Sequence, residues 1–186
     1  MSKFALSSML IATLLSLQAC NSDSRLRHKM GNAEQSDSDI PIIDVDISDF
    51  MNKAASGGMM EIQLGEMAEQ NSKSEGVKNF GIMMVKDHKR TIAELKTLAA
   101  KKDIALPAVV SEDHQKHINE LTPLRGAEFD EKYMDMMVND HKEDIDLFEK
   151  AAKFEDHDVS AFAAETLPVL RKHFEAAKKI ERNLTM

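Results

Sequence analysis

Four metal-competent side chains, Glu61, His88, His141 and His173, each interrupt an otherwise apolar stripe of this sequence. Two of them lie in near-copies of one phrase, Met83-Met84-Val85-Lys86-Asp87-His88-Lys89 and Met136-Met137-Val138-Asn139-Asp140-His141-Lys142. An imidazole or a carboxylate set in an apolar stripe is costly to bury without a partner. A divalent cation removes that cost by taking the lone pairs of all four, and a His3Glu set suits zinc, iron, copper or manganese. Asp87 and Asp140 each precede a seam histidine by one residue, about 100° around a helix. There they serve either as acceptors that orient a ring or as ligands to a second ion. Without a metal the same residues make an interior polar network, Glu61 with protonated His88 and His141 with an aspartate. Spacing alone leaves both readings open.

Other soft or basic groups carry less. Met59, Met60, Met67, Met83, Met84, Met134, Met136 and Met137 offer thioethers to Cu(I), but at helical spacing beside Leu and Phe they read as core filler. His114 and His117, three residues apart on the short crossover helix, offer a weak external metal pair but read more readily as solvated surface. His28 and His157 receive no role.

The elements that must position the four residues are helices. With 13 Met, 1 Tyr, no Trp, 7 Gly and 4 Pro among 186 residues, the composition is poor in turn formers. Apolar periodicity predicts α1 over about 49–72 with Ser48 or Asp49 as N-cap, α2 over 75–102, a short α3 near 112–121, α4 over 126–154 and α5 over 158–184. The seams run Phe50, Ala54, Gly58, Glu61, Gly65, Ala68 on α1 and Val77, Gly81, Met84, His88, Ile92, Leu95, Ala99 on α2. On α4 the seam is Met134, Met137, His141, Ile145, Phe148, Ala152, and on α5 it is Phe162, Thr166, Val169, His173, Ala177, Ile180, Leu184. Two helical hairpins joined by a long connection, broken by Pro107 and Pro123, make an all-α, ferritin-like four-helix bundle whose crossover carries the short helix. Counted from the two hairpin turns, His141 and His173 fall at one height, and Glu61 and His88 differ by about 4.5 Å. Gly57-Gly58 and Pro168 are breakers near that level, where a bundle is thinned or opened.

The first residues read differently. Lys3, an apolar run to Leu17 and then Leu17-Gln18-Ala19-Cys20 make a secretory signal ending in a stretch similar to a bacterial lipobox. This predicts removal of residues 1–19, lipid on Cys20, and a flexible tether over 20–47 ahead of a bundle spanning 48–186. The single cysteine excludes an internal disulfide, and the net charge of -8 disfavours nucleic acid. The membrane, through Cys20, is the one partner implied.

The blocks Ala54-Ala55-Ser56-Gly57-Gly58-Met59-Met60-Glu61, the two Asp-His phrases, and Leu167-Pro168 followed by His173 resemble the bacterial exported proteins of domain of unknown function 4142. The likeness runs over about 49–184 and implies an exported, ferritin-like bundle without implying a reaction. The Glu-x-x-His pairs of diiron ferritins are missing: Val85, Val138 and Leu170 stand three residues before His88, His141 and His173. The expectation is therefore a lipid-anchored envelope protein, facing the periplasm from the outer membrane, that binds a transition metal in its core for storage, buffering or stress protection. The alternative is a structural or interaction lipoprotein with a metal-free polar core. An enzyme would need in addition an open coordination position and a substrate pocket.

Overall fold

The structure, a computed structural model, describes residues 45–184 and Met186. The signal, Cys20 and nearly all of the tether lie outside the described residues. Five helices follow in order: α1 Val45–Asn71, α2 Glu75–Lys101, α3 Glu112–Leu121, α4 Gly126–Ala151 and α5 His157–Leu184. The chain is an all-α, ferritin-like bundle of four long helices, with α3 on the crossover. None of the described helices is long and apolar enough to cross a membrane.

Helices α1 with α2, and α4 with α5, pack as hairpins; α1 also packs on α4 and α2 on α5. Polar ties at the two ends fix the direction of each helix. Ser74 N–H, in the α1–α2 turn, donates to Asp130 Oδ2 in the first turn of α4 at 3.2 Å. At the other end Lys102, just past α2, pairs with Asp156 and Asp158 at the start of α5. The crossover therefore runs the length of the bundle, so α2 and α4 are parallel while α1 opposes α4 and α2 opposes α5.

Local signals set the helix starts. The Ser74 hydroxyl accepts from Val77 N–H, the Ser111 hydroxyl accepts from His114 N–H, and Asp156 Oδ1 accepts from Asp158 N–H and Val159 N–H. Helix α1 begins three residues before the expected cap. Ser48 lies inside it, accepting from Asn52 Nδ2, because Ile47, Phe50 and Met51 drive an extra apolar turn into the cluster around Phe148 and Leu170. Helix α4 stops at Ala151 rather than 154. The seams predicted on α1 and α2 are buried throughout. On α5 the buried line is Val159, Ala163, Thr166, Leu167, Leu170, His173 and Ala177, so Ala163 and Leu170 take the places expected for Phe162 and Val169. Pro168 sits on the exposed face of an unbroken α5, where the Ala164 carbonyl it leaves without a donor is on the solvent side.

Two apolar clusters fill the bundle, one from Ile47 and Phe50 to Leu167 and Leu170, the other from Met60 and Leu64 to Met137 and Ala177. The polar residues of the four seams lie between them. Near the α1–α2 turn the hairpin closes tightly: a Cβ on Gly65 would lie 2.7 Å from Gly81 O, and one on Gly81 would lie 2.7 Å from Gly65 O. Only glycine permits backbones to approach so closely.

Candidate metal centre

Each long helix contributes one buried polar residue at one level. Glu61 from α1, His88 from α2, His141 from α4 and His173 from α5 are 1%, 5%, 0% and 0% exposed. His88, His141 and His173 each offer a ring nitrogen, and these three atoms lie within 4.8 Å of one another. Ring centroids are 6.0 Å apart for His88 and His141, and 5.4 Å for each of the other two pairs. Glu61 joins from the side, Oε2 at 3.0 Å from His88 Nδ1 and Oε1 at 3.5 Å from His141 Nε2.

The hydrogen bonds decide which lone pairs face inward. His141 Nδ1–H donates to the Met137 carbonyl at 2.8 Å, the acceptor one turn back in its own helix. This leaves Nε2 as the lone-pair nitrogen, and it has no hydrogen-bond partner. His173 Nε2–H donates to Asp87 Oδ2 at 3.0 Å, leaving Nδ1 likewise without a partner. His88 turns Nδ1 toward Glu61, and its Nε2 is without a partner, as are both oxygens of Glu61 within hydrogen-bond geometry. Unsatisfied buried polar atoms are rare and call for a physical reason. Here one nitrogen of each ring lies within 4.8 Å of the other two, and the rings of His141 and His173 are each anchored through one nitrogen while the other is left without a partner, as in a metal site.

Burial sets the charge state. Desolvation lowers the pKa of His88, His141 and His173 to about 4 in each case, against the smaller raising effects of Asp87 or Glu61. The three rings are thus neutral at pH 7, the form that coordinates metals. Desolvation raises Glu61 to about 7; His141 pulls it down and Asp140 pushes it further up. A neutral trio beside a carboxyl whose pKa burial holds up is a poor ion pair and a good donor set for a metal ion.

Asp87 orients His173, across the interface on α5, rather than its sequence neighbour His88. Burial pushes its carboxyl up, but the His173 hydrogen bond and the Arg90 and Lys172 charges hold it below the usual range. Asp140 faces outward from the trio, with Oδ1 3.8 Å from His117 Nδ1 on α3. Desolvation raises it to about 6, which His117 partly opposes. The Gly57-Gly58 pair does not open the bundle at Gly58: a Cβ there would meet Ile92 Cδ1 at 3.0 Å.

Two further polar groups, Asp144 and Tyr133, escaped the sequence reading, and a third, His114, is not the free surface group it was read as. Asp144 lines a cavity of about 10 Å³ together with Gly58, Glu61 and His88. Burial drives its pKa well up, with Glu61, Asp140 and Glu143 adding repulsion. The signal was present, since Asp144 follows His141 by three residues, one turn along the flank of the same seam. Tyr133, fully buried with its hydroxyl unpartnered, has its pKa raised by desolvation and by Glu61. His114, read as surface, accepts or donates at 2.7 Å with Ser56 Oγ of α1.

A bundle of two antiparallel hairpins with a polar layer at mid-height is of the ferritin-like class. The chain belongs to the family described as Domain of unknown function (DUF4142), which matches residues 33–180. No curated protein matches it. Among solved structures it is similar to CopM in the Cu(II)-bound form, at 17% identity and a TM-score of 0.63, over 74% of this chain and 96% of that one. CopM in the Ag-bound form aligns over the same shares at 17% identity and a TM-score of 0.60. At this identity the likeness is one of fold.

Proposed function

We propose that this protein holds one transition-metal ion among His88, His141, His173 and Glu61, as an exported metal-binding protein serving storage, buffering or stress protection. The observation that carries the reading is the convergence of three neutral, buried imidazoles whose offered nitrogens lie within 4.8 Å of one another. A buried network built only for packing would satisfy its own donors and acceptors; this one leaves a nitrogen on each ring without a hydrogen-bond partner. Imidazole donors suit copper, zinc and iron, and the copper- and silver-bound states of the CopM structures favour copper within that set. Asp87 would fix the His173 ring and the Met137 carbonyl the His141 ring, so that neither must reorganise on binding. We further propose that Cys20 carries lipid and tethers the bundle at the periplasmic side of the envelope, on the strength of the Leu17-Gln18-Ala19-Cys20 stretch.

The test is a thermal melt with and without copper(II) or zinc(II), alongside metal analysis. A ligand bound only by the folded state raises Tm, by an amount equivalent to about 2.7 kcal/mol at a hundredfold excess over Kd. His141→Ala should lose the response and His157→Ala should keep it. A wild-type domain whose Tm ignores metals, and which is stabilised by His88→Leu with His141→Leu, would leave the interaction-lipoprotein reading in its place.

A further inference from the structure

A trio that is 0% to 5% exposed must be reached from solvent. Polar groups connect it to the surface on two sides, at Asp87 between α2 and α5 and where the short α3 covers the groove between α1 and α4. Helix α3 is held by two buried apolar residues, Ile118 and Leu121, and turns polar groups toward its neighbours. His114 meets Ser56 at 2.7 Å, and the same Ser56 hydroxyl accepts from Ser111 N–H at 2.8 Å. His117 stands 3.8 Å from Asp140, too far for a hydrogen bond, and both His117 Nδ1 and Asp140 Oδ2 are screened from water without a partner.

From there the path leads inward through Asp144, one helical turn beyond Asp140. Its carboxylate faces two ways. Toward the surface, a Cβ on Gly57 would lie 3.8 Å from Asp144 Oδ1 and 3.7 Å from His114 Cε1, so the missing side chain leaves the space between them. Toward the core, Asp144 lines the cavity it shares with Glu61 and His88, which at about 10 Å³ has the size of one water. Glu61, 1% exposed and with both oxygens unpartnered, closes the inner end. Among the described residues no lysine or arginine forms an ion pair with Glu61, Asp140 or Asp144, whereas Asp156 and Asp158 at the bundle's end are paired with Lys101 and Lys102. The wall formed by α2 and α5 is different. Asp87 there is already engaged by His173 at 3.0 Å and has Arg90 at 4.0 Å, a charge that repels an incoming cation.

We propose that the α1–α3–α4 junction is the uptake site for the metal: His117, whose side chain is 37% exposed, and Asp140 just beneath it capture a divalent cation, and Asp144 hands it past Gly57 to Glu61 and the trio. The inference rests on the metal reading above. These residues are carriers on the way in, not ligands of the final site, so they govern the rate of loading and not its end point.

The experiment is stopped-flow mixing of the full chain with copper(II), following the ligand-field absorption of the bound ion, with stoichiometry measured at the end. Asp144→Asn should slow uptake at least tenfold and leave the final stoichiometry and spectrum as in wild type. The double variant His117→Gln with Asp140→Asn, which lies nearer the surface, should do the same and serves if Asp144→Asn does not fold. Gly57→Ala should slow uptake to a lesser degree. Loading of both Asp144→Asn and the double variant at the wild-type rate overturns the proposal. So does slowing by Asp87→Asn with none by Asp144→Asn, or a drop in final stoichiometry in the Asp144 or His117/Asp140 variants. A wild-type chain that binds no metal overturns this proposal and the metal reading together, whereas normal rates in variants that still fill the trio overturn this proposal alone.

Discussion

Opposed titrations meet within a few ångströms in the core. The three imidazoles have folded pKa values of about 4 against an ordinary 6.5. The stability they contribute as neutral rings is present above pH 6.5 and lost as pH falls toward 4, because the unfolded chain then binds more protons. Glu61 runs the other way, with a folded pKa of about 7 against 4.5. Its contribution is fully present below pH 4.5 and lost as pH rises through 7. In the wild type Glu61 offsets only part of the histidine contribution between pH 4.5 and 6.5. Glu61→Gln removes one side, so the metal-free variant should gain stability relative to wild type as pH rises from 4.5 to 7, by roughly 3 kcal/mol. Urea denaturation across that range checks this; parallel curves for the two proteins would show that Glu61 does not titrate there. Asp87→Asn tests the ring anchor. It keeps the shape but loses the charge-assisted bond to His173, and should weaken metal binding by about 10- to 100-fold with little change in the metal-free Tm.

At the scale of elements, the glycines of the α1–α2 hairpin behave differently from one another. Gly65 and Gly81 let two helix backbones touch, and a methyl on either would collide at 2.7 Å with the partner's carbonyl oxygen. Gly81→Ala should therefore destabilise by about 2 kcal/mol through helix separation. Gly57 has ordinary contact distances of 3.7 and 3.8 Å at the position of a new Cβ. Gly57→Ala should stabilise the metal-free domain by up to about 1 kcal/mol through helix propensity. Denaturant midpoints of the two variants should thus move in opposite directions. Asp156→Ala should cost about 1 kcal/mol, since it removes the acceptor of Asp158 N–H and Val159 N–H at the start of α5.

For the molecule as a whole, the long crossover sets the relation between its parts. By carrying the chain back along the bundle it makes α2 and α4 parallel, so the two Asp-His phrases point the same way along the axis. Their histidines reach one level while their aspartates diverge, Asp87 to α5 and Asp140 to α3. The same crossover lays α3 over the groove between α1 and α4. The proposed tether and anchor belong to this scale too. Cys20→Ser should abolish acyl labelling and move the protein from the membrane fraction to the soluble one, and an unmodified Cys20 in a soluble native protein would count against the anchor.

The sequence by itself determined the helices, their order and most of the buried stripe, because 3.6-residue periodicity is a local property of the chain. It also marked Glu61, His88, His141 and His173, since a polar residue in an apolar seam is visible without knowing what the seam faces. It misplaced the start of α1 because Ile47 looks like linker until Phe50 and Phe148 are seen to cover it, and it missed the slip on α5 that makes Ala163 and Leu170 core. Only the tertiary structure decided that Asp87 serves a histidine 86 positions away. The same holds for Asp140 turning outward, and for Asp144 and Gly57 joining α3 to the centre. Those pairings depend on how two helices are rotated about their own axes, and rotation is fixed by packing between segments distant in the chain, not by the pattern within either one.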